Sequence, residues 1–107
     1  MTVPKVQAQS VTVEVTGWVT RFVGGDGSGR REYPEALVPG ESIREVLRRV
    51  TARYHELDAA LWDASKKELG EHIEVLVNDA VLGINHTLDS ELKPGDRITL
   101  VGQYMGG

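Results

Sequence analysis

Val11, Val13 and Val15 alternate with Thr12, Glu14 and Thr16, the period-two pattern of a half-buried strand rich in β-branched residues. Beyond Gly17 the run Trp18-Val19-Thr20-Arg21-Phe22-Val23 stays rich in strand formers. The pattern therefore predicts one long first strand, Val11 to Val23, with Gly17 a candidate bulge. Gly24 to Gly29 is a turn-forming cluster, and Arg30 to Val38 predicts a second strand that Pro34 places at a sheet edge or at a bulge. Ser42 to Glu45 spells a capping box, and Ile43, Val46, Leu47, Val50, Tyr54, Leu57 and Leu61 follow at helical spacing. This predicts an amphipathic helix that ends near His55 or continues into a second short turn. His72 to Val77 has few polar interruptions and predicts a central strand buried on both faces. Asn78-Asp79 predicts a turn, Val81-Leu82 a short return strand, and Lys93-Pro94-Gly95-Asp96 a type II turn into a last strand, Arg97 to Val101.

The order β, β, α, β, short β, β predicts an α+β roll, a mixed sheet of four to five strands packed on one main helix. That is the β-grasp arrangement of ubiquitin-like proteins. Residues 1–9 are polar, contain Pro4 and have no period, so they are read as a loose lead-in to a β-grasp domain over 10–102. Residues 103–107 form a tail ending in Gly106-Gly107 that is expected to be exposed. Two glycines without Cβ atoms make an end thin enough for a narrow channel. At about 3.3 to 3.6 Å per residue, five residues carry the terminal carboxylate roughly 16 to 18 Å from the body.

Composition removes several kinds of chemistry. A chain of 107 residues fits one domain able to bury a core without staples. Cysteine is absent, which excludes a disulfide framework, a thiolate metal site and a cysteine nucleophile. A net charge of −4 suits a protein partner with a basic groove better than nucleic acid. No run approaches a membrane span and the first ten residues lack the apolar core of a secretory signal, so a cytoplasmic location is expected. The Gly24–Gly29 loop lacks the Lys-Ser/Thr of a phosphate loop and leads into a predicted strand, so it reads as a flexible connection. His55, His72 and His86 fall on different elements at no ligand spacing, and no metal site is expected. Trp18 and Trp62 read as packing aromatics, the arginines of the helix as a solvated face, and no autonomous catalyst is apparent.

Three features together carry a resemblance. They are Glu71-His72-Ile73-Glu74-Val75-Leu76-Val77-Asn78-Asp79, the stretch Leu88-Asp89-Ser90-Glu91-Leu92-Lys93-Pro94-Gly95-Asp96 leading into Arg97 to Leu100, and the Gly106-Gly107 end. In this order they resemble the MoaD/ThiS family of ubiquitin-like sulfur carriers, with the CysO-like, Urm-like and archaeal small-modifier branches nearest. The resemblance implies that the Gly107 carboxylate is adenylated by an ATP-using partner of the MoeB/ThiF type. It is then converted to a thiocarboxylate for a sulfur-accepting enzyme, a MoaE-like partner or another synthase, as in molybdopterin synthesis. It implies a carrier without enzymatic activity or bound cofactor. The alternatives are a modifier joined to lysines through Gly107 and a non-covalent β-grasp interaction module. Gln103-Tyr104-Met105 stands where many relatives have a Pro-containing apolar tail. Tyr104 and Met105 are read as partner-recognition residues or as a patch closing the end of the sheet, the first being favoured because tails are seldom buried.

Overall fold

A computed structural model describes residues 9–65 and 67–102. β1 (Ser10–Thr16) forms over the valine alternation, with Val11, Val13 and Val15 buried. The predicted continuation to Val23 is corrected: Gly17–Val23 is a 3-10 helix. Gly17 takes φ +59, a left-handed value that turns the chain out of the strand direction and that side-chain-bearing residues avoid. Past that turn Val19, Thr20 and Val23 point inward together, a helical spacing within strand-forming residues. Seven residues is long for a 3-10 helix, and contacts from outside hold this one. The Thr20 hydroxyl is buried, donates to the Gly17 carbonyl at 2.8 Å and accepts from the Gly27 N–H at 3.0 Å. Gly25 lies so close that a Cβ there would be 2.8 Å from the Thr20 Cβ. The glycine loop is thus fastened to the helix rather than being a simple flexible connection.

β2 (Arg30–Ala36) runs antiparallel to β1, with Pro34 opposite Thr12, and lies at the sheet edge that proline tolerates. α1 (Ile43–Thr51) begins with the predicted capping box. Ser42 Oγ accepts from the Glu45 N–H and the Glu45 carboxylate accepts from the Ser42 N–H. Its buried stripe is Ile43, Val46, Leu47 and Val50. The chain breaks and resumes as α2 (His55–Leu61), which buries Leu57 and Leu61. β3 (Ile73–Val77), β4 (Ala80–Val81) and β5 (Arg97–Gly102) complete one sheet in the order β2-β1-β5-β3-β4.

The parallel pair β1 and β5 occupies the middle of this sheet, with antiparallel partners outside. The expectation that the His72–Val77 strand is buried on both faces is corrected. β3 buries Ile73, Val75 and Val77 but leaves Glu74 and Leu76 only half-covered, because alternate residues turn to the sheet face away from the core. The enclosed strands are the central pair, with Val13, Glu14 and Val15 of β1 and Ile98, Thr99 and Leu100 of β5 each buried in succession. α1, α2 and the 3-10 helix supply the other side of a core built on Val11, Val13, Val15, Ile98 and Leu100.

The helix arginines are engaged with neighbouring elements rather than simply solvated. Arg49 and Arg53 both donate to the buried Glu35 of β2, Arg49 also to Glu41, and Arg44 pairs with Asp89 at 2.8 Å. Arg48 lies 5.7 Å from the centre of the Trp62 ring, within cation–π range. Burial pushes the Glu35 carboxyl up, but hydrogen bonds from Arg53 and Arg49, with their charges, hold it below the ordinary value. Hydrogen bonding from Arg49 does the same for Glu41.

Candidate functional site

The two stretches that suggested the resemblance meet in space. Asn78 and Asp79 adopt φ 51 and 69 in the turn between β3 and β4, left-handed values that Asn and Asp tolerate best among residues with side chains. The Asn78 side chain donates to Asp96 at 3.0 Å and accepts from the Arg97 N–H at 2.9 Å. Gly95, at φ 89, and the 3.0 Å bond from the Asp96 N–H to the Lys93 carbonyl close the predicted type II turn. These motifs therefore stitch the start of β5 to the end of β3. Asn78 and the Lys93–Asp96 turn are scaffold, placed at the opposite end of β5 from its exit, about 20 Å away for a six-residue strand.

The chemistry expected from the sequence belongs to the other end. Gly106 and Gly107, with Tyr104 and Met105, lie outside the described residues, and so does Gln103. What is described is the place from which they continue. Val101 pairs with Thr16 of β1 and with Glu74 of β3, and Gly102 pairs with Ile73. The Thr16 hydroxyl donates to the Leu100 carbonyl at 3.1 Å, tying the ends of the central strands together. The Trp18 indole lies directly on Gly102, where a Cβ would overlap its Cε2 and Nε1 atoms. Phe22 meets Trp18 edge to face, with ring centres 5.8 Å apart and planes at 89°, a favoured aromatic geometry. Thr16, Gly17, Trp18, Gly27, Val101 and Gly102 line an open cleft of about 390 Å³ beside this exit.

The residue pattern around Trp18 predicts a strand and gives no link to the tail. The spacing of four residues in Trp18/Phe22 and Val19/Val23 was the available signal, obscured by the strand propensity of those residues. A second open cavity, about 370 Å³, lies between Arg44, Glu68, Leu69, Leu82 and Asp89, and there Arg44 is paired with Asp89. His55, His72 and His86 are not brought together: the first begins α2, the second precedes β3 and the third lies in the loop after β4. Among the described residues there is no group of three His, Cys, Asp or Glu side chains that could hold a metal ion. No described helix is long and apolar enough to cross a membrane.

No protein-family model matches the chain, and no curated protein matches its sequence. Solved structures do match. Small archaeal modifier protein 1 (SAMP1) from Methanosarcina acetivorans superposes with a TM-score of 0.74 at 22% identity, over 94% of this chain and 99% of that one. A chain of the Amycolatopsis orientalis BexX/CysO complex gives 0.68 at 27% identity, over 91% and 99%. A Pyrococcus furiosus protein described as molybdopterin converting factor subunit 1 gives 0.63 at 19% identity, over 87% and 95%. With a sheet in the order β2-β1-β5-β3-β4 and these neighbours, the chain has the ubiquitin-like β-grasp fold, and its likeness to the chain of the CysO complex bears out the resemblance to the MoaD/ThiS family.

Proposed function

We propose that this protein is a sulfur carrier whose working group is the Gly107 carboxylate, presented by the β-grasp body to enzymes that act on it. The observation that carries this reading is the path of β5. The central strand of a MoaD-like sheet ends at Gly102, five residues before Gly107. A C-terminal carboxyl, with an ordinary pKa of about 3.3 to 3.7, is ionised at neutral pH and a poor electrophile. Attack of that carboxylate on the α-phosphorus of ATP in a partner of the MoeB/ThiF type releases pyrophosphate and leaves an acyl-adenylate. Sulfide delivered by the partner then attacks the carbonyl carbon, AMP leaves, and the product is a thiocarboxylate. With no cysteine in the chain, the sulfur sits on the Gly107 carbonyl carbon. The thiocarboxylate gives its sulfur to an accepting enzyme such as a MoaE-like synthase, in the cytoplasm where ATP is supplied. The protein is a substrate and carrier in this sequence, and ATP is held by the partner.

Mass spectrometry of the intact protein from its own cells tests the reading. One oxygen replaced by sulfur at Gly107, or an adenylate adduct there, is the expected result. Protein that carries neither, even under sulfur demand, counts against it. The same activated carbonyl could be attacked by a lysine amine to give an isopeptide bond, and the likeness to an archaeal modifier favours this second use. Higher-mass conjugates lost on deletion of Gly107 would establish it. Gly106→Val should abolish adenylation without changing the folded body, because the added bulk enters the partner's channel and not the core. Normal adenylate formation by that variant would refute the narrow-channel argument.

A further inference from the structure

Resting on that reading, we propose that Trp18 is a positioning residue for the C-terminal tail: its indole is the stop that sets the direction in which the chain leaves β5. Three observations support the assignment. Residue 102 is a glycine whose missing side chain is replaced in space by the Trp18 ring, so an aromatic plane rests on bare backbone at the last residue of the strand. The ring is itself braced edge to face by Phe22. The 3-10 helix carrying both rings is fixed by the buried Thr20 hydroxyl and by the close approaches of Gly25 and Gly27. A hairpin turn alone could join β1 to β2, yet the chain places seven residues here and lays one of them over the end of β5.

The consequence follows from the entropy of presentation. Every residue left free at the root of a tail multiplies the conformations in which its carboxylate misses the partner's channel, by about tenfold per residue ordered. A flat, braced ring against Gly102 removes that freedom before the partner is met. The partner's transition state does not involve the ring, so the benefit belongs to binding. Trp18 should therefore govern KM for adenylation and leave kcat alone.

The test uses the full-length protein with the adenylating enzyme from the same cells. Trp18→Ala is expected to raise KM about tenfold with kcat within about twofold. Trp18→Phe, which keeps a flat ring, should restore most of the loss, whereas Trp18→Leu, apolar but not flat, should not. Gly102→Ala should reproduce Trp18→Ala, and the double variant should be no worse than either alone. Amide 15N relaxation at Gly102 and Gln103 gives a reading independent of the reaction, with order falling in Trp18→Ala while β1, β3 and α1 keep theirs. If Trp18→Ala unfolds, Trp18→Leu takes its place in both arms. An unchanged KM, or a defect confined to kcat, overturns the inference. If the wild-type protein is not adenylated at all, the proposed function fails instead. The relaxation arm then decides the role of Trp18, and unchanged order at Gln103 overturns it.

Discussion

α1 and the 3-10 helix pack on the same face of the same sheet, yet they are built by opposite means. α1 is assembled from signals local to its own sequence, a capping box and a buried stripe, and its Arg49 reaches Glu35 and Glu41. The 3-10 helix has no side-chain cap. A positive-φ glycine turns it out of the strand, one threonine hydroxyl ties it to the loop, and glycines without Cβ atoms let the backbone close in. The lesson is a division of labour. α1 closes the core and clamps the edge strand, and the 3-10 helix shapes the end of β5 from which the tail departs.

Breaking α1 at its centre should have the larger effect on stability. Leu47 is wholly buried, and Leu47→Ala should cost about 2–5 kcal/mol. Urea unfolding checks the size, and adenylation by the folded fraction should be unchanged. On the other side, Thr20→Val removes the hydroxyl that holds Gly27 and leaves its N–H and the Gly17 carbonyl without that partner. A loss of about 1–3 kcal/mol is expected, and amide exchange should accelerate in the 17–29 segment more than in α1.

The smallest effect concerns the ion pairs between α1 and β2. The folded protein depresses the pKa of Glu35 and Glu41. The unfolded chain therefore binds protons more readily, and stability rises with pH through the acid range. The contribution is fully present above the ordinary glutamate pKa, about 4.3, and is lost as pH falls through the lower folded values. Glu35→Gln should remove about 1 kcal/mol at neutral pH, since Arg49 and Arg53 are partly in water. It should also flatten the acid limb of a plot of stability against pH. An unchanged acid limb would assign these pairs no energetic role.

The same contrast accounts for what was legible in the sequence. The β-grasp order, the capping box, the edge position of Pro34 and both turns are encoded by neighbouring residues, and each appears where the pattern put it. The 3-10 helix did not declare itself, because Trp, Val, Thr and Phe favour strands and only tertiary contact reveals that Gly17 reverses the trend. The place of β3 was misjudged for a related reason. An apolar run reports how much surface could be covered, while the layer packed on each sheet face decides how much is, and the core lies on the Ile73, Val75 and Val77 side alone. The expected site residues, Tyr104, Met105, Gly106 and Gly107, lie outside the described residues, and what borders them is Gly102 in its seat under Trp18. That contact joins residues 84 positions apart, which no local pattern can report.

Pyrophosphate exchange tests the central claim most directly. The adenylating enzyme from the same cells is mixed with ATP, labelled pyrophosphate and either the intact protein or a version lacking only Gly107. Label entering ATP with the intact protein, and none with the shortened one at equal thermal stability, is what the account predicts. Equal exchange with both proteins would mean that the group being activated is not the Gly107 carboxylate, and would contradict it.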